Sequence, residues 1–306
     1  MDNTKRIISL LPSSTEIAAS LGYGDQLVGR SHECDFPGGL DHLPVLTSPK
    51  FNPQGSSFAI NKEVSEILKY GLSVYELNTE LLEELQPDII LTQSQCEVCA
   101  VSMKDVEEAV CQLVSSQPAI VNLEPNSLQD VYNDITKVGQ ALGVEDKASR
   151  LLRSIEEELS LVQGKVAGLQ TPTIACIEWL DPIMLAGNWV PEMVEIAGGE
   201  NVLSAKDEHS HYFQWEEIRA VDPEVIAVMP CGFGIQRTLH EMRLLTSLPG
   251  WTDLQAVKND RVFVTDGNQF FNRPGPRVKE SVEILAEILH PEIFDKRHLG
   301  SGYVKF

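Results

Sequence analysis

The chain has 306 residues, of which 42% are apolar and 23% are charged, a composition typical of a folded globular protein rather than a disordered one. Its 45 acidic residues outnumber its 24 basic residues, and the resulting charge of -21 disfavours nucleic acid and anionic lipid as partners. No run approaches the roughly 20 apolar residues that a membrane-spanning helix needs, so we expect no membrane insertion.

Strand and helix patterns alternate in the first part of the chain. Residues 6–11 predict a buried strand, a helix opens at Ser14 and runs to Gly22, and residues 26–30 predict a second strand. Asn78 is expected to cap a helix over residues 79–85. Further strands are predicted at 75–77, 89–92 and 119–121, and a further helix at 104–115. This alternation is typical of a parallel α/β sheet.

The middle of the chain is helical. Between residues 127 and 170 apolar residues recur at helical spacing, and a helix from Glu145 to about Leu169 would be roughly 35 Å long. A helix of this length serves as a rigid strut, whereas a flexible linker would be rich in Gly or Ser. After Pro172 the alternation resumes, with strands at 173–177, 225–229 and 261–265 and helices at 190–197, 215–220, 239–245 and 277–289.

We therefore predict an α/β protein of two lobes, each a mainly parallel sheet flanked by helices. The lobes comprise residues 1–125 and 171–306, and residues 126–170 hold the connecting helices, including the long one. The alternative is a single large doubly wound sheet with a strandless stretch at its centre.

Ligands of open parallel sheets bind beyond the carboxyl ends of the strands, so the residues that follow the predicted strands are the candidate ligand contacts. Aromatic side chains among them suit a flat apolar ligand, and the arginine can hold a carboxylate, an amide oxygen or a phosphate. The candidate contacts are His32, Glu33, Cys34, Gln93, Cys96, Glu178, Trp179, Trp189, Cys231, Phe233, Phe271 and Arg273. If the lobes face each other, these residues line the crevice between them.

The six cysteines are interpreted as reduced thiols, since a chain of this length builds a core without disulfides. Cys111 and Cys176 fall within a predicted helix and a predicted strand, so we expect both in the core. Four others lie in polar or Gly-rich turns, where a packing role is less natural, and form a soft ligand set for a thiophilic metal: Cys34, Cys96, Cys99 and Cys231. Alternatively, these four thiols contact an organic ligand or pack.

Neither a nucleophile turn of the Gly-x-Ser-x-Gly type nor a glycine-rich phosphate loop is present, and we predict that the chain is not an enzyme. The first residues lack the basic start, long apolar core and cleavage site of a signal peptide. We therefore expect a cytoplasmic protein, or a periplasmic or extracytoplasmic one from which a leader was removed.

Several segments resemble the substrate-binding proteins of ABC importers for vitamin B12 and iron-siderophores. They are residues 6–16, 27–29, 78–91, 198–202, 222–226 and the Arg-Pro-Gly-Pro-Arg run at 273–277. The resemblance covers nearly the whole chain and implies the class III periplasmic-binding-protein fold, with two lobes on a rigid helix and a small molecule held in the cleft. It also implies an ABC permease as partner, and we expect a monomer.

Individual roles follow from the same resemblance. Arg273 matches an arginine that contacts corrinoid side groups, with Phe271 beside it, and Glu80 and Glu216 match two glutamates that dock onto permease arginines. A position in the first turn of a helix is by itself a sufficient explanation for both glutamates, because the helix dipole stabilises an acid there. The chain departs from the B12-binding members at three positions: Gln93 and Ser210 stand where those members have Trp, and Gln269 where they have an acid.

The sequence further resembles a branch assigned to cobalamin binding that combines four motifs, present here at residues 32–35, 95–100, 230–233 and 273–277. We predict a carrier of a corrinoid or related metal-tetrapyrrole, with a Cys or His as axial ligand. The alternatives are an iron-siderophore or metal-ion carrier of the same fold, and a cytoplasmic enzyme that uses the crevice thiols and Glu33.

Overall fold

A computed structural model describes residues 4–70, 72–94, 102–113 and 117–306. The chain divides into two compact units. Unit 1 comprises Met1–Gly55, Lys62–Pro125 and Gln129–Arg153, and unit 2 comprises Ser56–Asn61, Asn126–Leu128 and Ser154–Phe306. The sequence-based lobe boundaries after residues 125 and 170 stay a prediction.

Unit 1 is built on a parallel sheet. The elements up to the long helix are β1 (Ile7–Ser9), α1 (Pro12–Ser20), β2 (Leu27–Arg30), β3 (Thr47–Pro49), α2 (Ser57–Lys69), β4 (Tyr75–Leu77), α3 (Thr79–Leu85), β5 (Ile89–Gln93), α4 (Met103–Leu113), β6 (Ala119–Leu123), α5 (Leu128–Leu142) and α6 (Glu145–Val166). Within the described residues the sheet order is β2-β1-β5-β6, and every pairing in it is parallel. Its central strands, β1 and β5, are buried at every position, as expected for strands covered on both faces.

Unit 2 is built on a mixed sheet. Its elements are β7 (Thr173–Leu180), β8 (Ile183–Leu185), α7 (Val190–Ile196), β9 (Glu200–Asn201), β10 (His211–Tyr212), α8 (Trp215–Val221), β11 (Val225–Val228), α9 (Ile235–Glu241), α10 (Arg243–Thr246), α11 (Gln255–Lys258), β12 (Val262–Thr265), α12 (Val278–Leu289) and β13 (Tyr303–Lys305). In the part of the chain that the structure describes, the order is β10-β8-β7-β11-β12-β13, with β9 also paired to β7. The β7-β9, β7-β11 and β11-β12 pairings are parallel, while β8, β10 and β13 join by antiparallel pairings.

The predicted fold class is confirmed: two α/β parts with parallel strands, and a long helix that contributes residues to both. The helix α6 has 22 residues and ends about three residues earlier than predicted, just before Gly168, whose φ of +81° favours glycine. Its first residues belong to unit 1 and its later residues to unit 2. Among the described residues, no helix has the length and apolar character to cross a bilayer.

The structure also contains elements that the sequence patterns did not predict. The helix α2 was missed although Ile60 and Val64 are buried at helical spacing. The strands β8, β10 and β13 are two or three residues long, too short for a periodic pattern. The predicted strand at 75–77 exists, but it pairs antiparallel with β3 outside the parallel sheet.

Candidate ligand-binding site

His32 lies just beyond the carboxyl end of β2 in unit 1 and is partly exposed. Its Nδ1 is 2.7 Å from Oγ1 of Thr47, and its backbone N–H donates to the same oxygen at 3.1 Å. The Thr47 hydroxyl in turn donates to Oγ of Ser31 at 2.9 Å. Burial and the neighbouring positive charge of Arg30 lower the pKa of His32 below its ordinary value of 6.5, so the imidazole is neutral at neutral pH.

Tyr75 connects His32 to Glu33. The rings of Tyr75 and His32 lie 5.1 Å apart, and the phenol hydroxyl of Tyr75 donates to Oε1 of Glu33 at 3.1 Å. Phe51 packs against the same tyrosine at 6.0 Å between ring centroids. Sequence reasoning missed Tyr75 as a site residue, because nothing in its strand pattern distinguishes a support for His32 from a core aromatic.

Cys34 is buried, with 1% of its surface exposed. Its sulfur accepts a hydrogen bond from Oγ1 of Thr15 at 3.0 Å, and Thr15 also donates to Ser9 at 2.7 Å, so the thiol packs at the start of α1. The burial of Cys34 agrees with the alternative that this thiol packs, and its ligand contact stays a prediction. Gln93, the last residue of β5, is also buried at 5% exposed.

Glu178 marks an irregularity in β7 of unit 2. Ile177 pairs with Leu185 and Trp179 with Met184, so Glu178 is an extra residue on its strand, and such bulges change the direction in which a side chain points. Its Oε2 accepts from the hydroxyl of Ser210 at 2.6 Å, and Ser210 accepts from the N–H of Gly187 at 3.0 Å. Burial raises the pKa of Glu178 to about 7.

Trp179 is the first of three side chains that pack in a row in unit 2, two aromatic and one cationic. Its ring meets that of Phe233 edge-on at 5.2 Å, and the guanidinium of Arg237 lies 3.6 Å from the centre of the Phe233 ring. Trp179 is partly exposed, whereas Phe233 is only 2% exposed. The indole N–H donates to the carbonyl of Ser57 at 3.2 Å. Sequence reasoning missed Arg237, whose contact with Phe233 depends on the turn that starts α9.

The loop before α12 holds Phe271 and Arg273 inside unit 2. Phe271 has a φ of +68° and is 1% exposed, and its carbonyl accepts from the indole N–H of Trp189 at 2.7 Å. Arg273 is 6% exposed and donates to Oδ1 of Asn268 at 3.3 Å. Trp189 is buried as well, at 6% exposed. Ligand contact by these three residues stays a prediction, and their burial shows that they also hold the loop in place.

The cysteine predictions have different outcomes. Cys176 is buried in β7 as predicted, and burial raises its pKa to about 12. The core prediction for Cys111 is wrong, because this residue lies on an exposed face of α4. Cys231 is partly exposed in the turn after β11. Cys96 and Cys99 lie outside the described residues, so the predicted metal set of Cys34, Cys96, Cys99 and Cys231 stays a prediction.

Within the described ranges, no three His, Cys, Asp or Glu side chains come together in a group that could hold a metal ion. Glu80 and Glu216 occupy the first turns of α3 and α8, and both are exposed. Their predicted docking role stays a prediction.

Comparisons with known proteins place this arrangement in a family. Residues 7–269 match the family model described as periplasmic binding protein. The chain is similar to an uncharacterized ABC transporter substrate-binding lipoprotein, YvrC, of Bacillus subtilis, with 28% identity over 95% of this chain and 81% of that protein. It is also similar to a vitamin B12-binding protein of Vibrio parahaemolyticus, with 25% identity over 92% of this chain and 88% of that protein.

Among solved structures, a periplasmic haem-binding protein of Pseudomonas aeruginosa matches with a TM-score of 0.71 and 18% identity, over 95% of this chain and 94% of that one. At this identity the likeness shows the fold alone. The cytoplasmic location expected from the sequence finds no support here, since the similar protein of Bacillus subtilis is a lipoprotein. The prediction that the chain is not an enzyme is confirmed by the family match. The chain thus belongs to the periplasmic binding protein family, as an ABC-type substrate-binding protein.

Proposed function

We propose that this protein binds a corrinoid or related metal-tetrapyrrole and presents it to an ABC permease. The observation that carries the proposal is the partly exposed Trp179 at the carboxyl end of β7, backed by Phe233 and Arg237. An indole in this position offers a planar ligand a large apolar contact. Similarity over most of the chain to a vitamin B12-binding protein supports the same ligand class.

The residues predicted to contact the ligand fall into two groups, those that are partly exposed and those that are buried. Five of them are partly exposed and can touch a ligand without rearrangement: His32, Glu33, Glu178, Trp179 and Cys231. The buried ones act by holding the loops and strand ends that carry the exposed residues: Cys34, Gln93, Trp189, Phe233, Phe271 and Arg273. Cys96 remains a proposed contact from the sequence alone.

Addition of aquacobalamin to the purified protein tests the proposal through the corrin absorption bands and the heat of binding. Trp179→Ala removes the indole, and we expect the dissociation constant to rise at least tenfold, about 1.4 kcal/mol. Tyr70→Ala is the matched control, because this aromatic side chain is 79% exposed in the turn after α2 and should leave affinity unchanged. Unchanged spectra together with no heat would refute the proposal.

The second candidate ligand is an iron-siderophore, the alternative that the resemblance to importers of vitamin B12 and iron-siderophores leaves open. Competition decides between the two candidates, because a ferric siderophore should displace aquacobalamin if it is the true ligand. For a bare metal ion, Cys96→Ser with Cys99→Ser should abolish metal retention, and intact metal content in this double variant would argue against a metal-ion carrier.

The permease and the location are proposals of the same kind. A protein similar to an ABC substrate-binding lipoprotein is expected outside the cytoplasm, and fractionation of the host cells measures this directly. Charge reversal at two exposed sites, Glu80→Arg and Glu216→Arg, should reduce ligand uptake by cells while the affinity of the purified protein stays the same. Uptake equal to that of the wild type would refute the docking role of both glutamates.

A further inference from the structure

Nε2 of His32 has the chemistry of a metal ligand. We propose that this nitrogen is the axial ligand to the metal of the bound tetrapyrrole, an inference that rests on the proposed function and names one of its contacts. Three properties support this role: the tautomer of the ring, its fixed position and the number of protein ligands that such a metal needs.

The hydrogen bonds around Thr47 set the tautomer. The Thr47 hydroxyl has a single proton and donates it to Oγ of Ser31 at 2.9 Å. At 2.7 Å from the same hydroxyl oxygen, Nδ1 of His32 must therefore be the donor. A neutral imidazole that carries its proton on Nδ1 has its lone pair on Nε2, which is the form that binds a metal.

The position of the ring is fixed as well. Thr47 holds both the backbone and the side chain of His32, and Tyr75 packs against the ring at 5.1 Å with an interplanar angle of 53°. Among the described residues, Nε2 has no hydrogen-bond or ion-pair partner, and the side chain is partly exposed.

One protein ligand is enough for a metal that a macrocycle already holds by its ring nitrogens. This agrees with the described part of the chain, where no three potential ligands converge to hold a bare ion. Cys34 lies two residues after His32, is buried and accepts a hydrogen bond from Thr15. Its thiol is therefore less able than His32 to reach a metal at the surface of unit 1.

Aquacobalamin and cyanocobalamin together test the inference, because a histidine can replace the water of the first, whereas in the second cyanide occupies that position. We expect the wild type to bind both and to shift the absorption bands of aquacobalamin only. His32→Ala should lose the band shift with aquacobalamin, even at concentrations at which the heat of binding shows that the variant is saturated. Imidazole should restore the shift in this variant, at concentrations that leave free aquacobalamin unchanged.

His42→Ala is the matched control. This histidine lies in the same unit, is exposed, and donates from Nδ1 to the carbonyl of Gly39 at 2.8 Å, so it carries the same tautomer elsewhere. The His42→Ala variant should shift the absorption bands of aquacobalamin as the wild type does. Thr47→Val tests the tautomer while Nε2 of His32, the coordinating atom, stays in place. We expect the affinity of this nitrogen for the metal to fall about 10- to 100-fold, the usual effect of losing an outer-shell partner.

The two cobalamin titrations distinguish failure of the axial role of His32 from failure of the proposed function. If the wild type binds cyanocobalamin but does not shift the bands of aquacobalamin, the proposed function stands and the axial role of His32 is overturned. That role is overturned as well if His32→Ala shifts the bands as strongly as the wild type. If neither cobalamin binds, the proposed function itself fails, and the inference fails with it.

Discussion

Glu178 provides the sharpest test of the structure of unit 2, because its carboxyl group is buried against Ser210 and titrates near neutral pH. Its pKa rises from an ordinary value of 4.5 to about 7, chiefly because burial disfavours the charged form, while the bond from Ser210 offsets part of that rise. Between these values the folded state binds a proton that the unfolded state has released. Stability therefore falls as pH rises through this range.

The substitution Glu178→Gln removes the ionisable group and keeps its size and an acceptor for Ser210. One pKa unit corresponds to about 1.36 kcal/mol, so the rise from 4.5 to about 7 predicts that the free energy of unfolding of the variant exceeds that of the wild type by at most about 3 kcal/mol at pH 8. The same calculation gives an increase in the free energy of unfolding of about 1 kcal/mol at pH 5. These figures are upper limits, since the side chain is partly exposed.

Urea unfolding at pH 5 and pH 8 measures the effect. Glu195→Gln is the matched control: it removes the same charge from an exposed position on α7 and should change stability little at either pH. The reasoning is refuted if Glu178→Gln changes the free energy of unfolding by the same amount at both pH values, or if Glu195→Gln reproduces its pH dependence.

Three further predictions concern the cap of α3, the thiols and the C-terminal segment. Asn78→Ala removes the side-chain bond to the N–H of Leu81 and should lower the free energy of unfolding by about 1 kcal/mol in urea. Alkylation mapped by mass spectrometry should modify exposed Cys111 in the native protein and spare buried Cys176, and equal rates would contradict their placement. His298 bonds to Glu283 at 2.9 Å, which raises the pKa of the histidine and lowers that of the acid. His298→Gln should therefore destabilise the protein most near pH 6, and the loss measured by thermal unfolding should shrink as pH rises above the pKa of His298.

Local signals predicted much of the fold. Asn78 and the helix it caps were correct to the residue, because a cap and its first turn are set by neighbouring residues. The long helix was predicted from its apolar spacing, which is a local property of the sequence. The short antiparallel strands of unit 2 were missed, because two- or three-residue strands exist only through their pairing with distant residues.

Exposure of the site residues was the least predictable property. Cys34 and Arg273 follow strands in polar segments, and the sequence placed both at a ligand surface, yet partners from elsewhere in the chain and in their own loop bury them. Cys111 shows the reverse error, since a helical position does not tell which face of the helix meets the core.

The class of protein could be recognised from the amino-acid pattern alone: alternating elements, a long helix and a set of motifs that together resemble one family. The chemical state of the site residues became visible only in the folded chain. The bulge at Glu178, its hydroxyl partner at Ser210 and the tautomer of His32 all depend on contacts between residues that are not neighbours along the chain. Ser210 is 32 positions from Glu178, and Thr47 is 15 positions from His32. A pKa or a tautomer is set by neighbours in space, and these become neighbours only when the chain has folded.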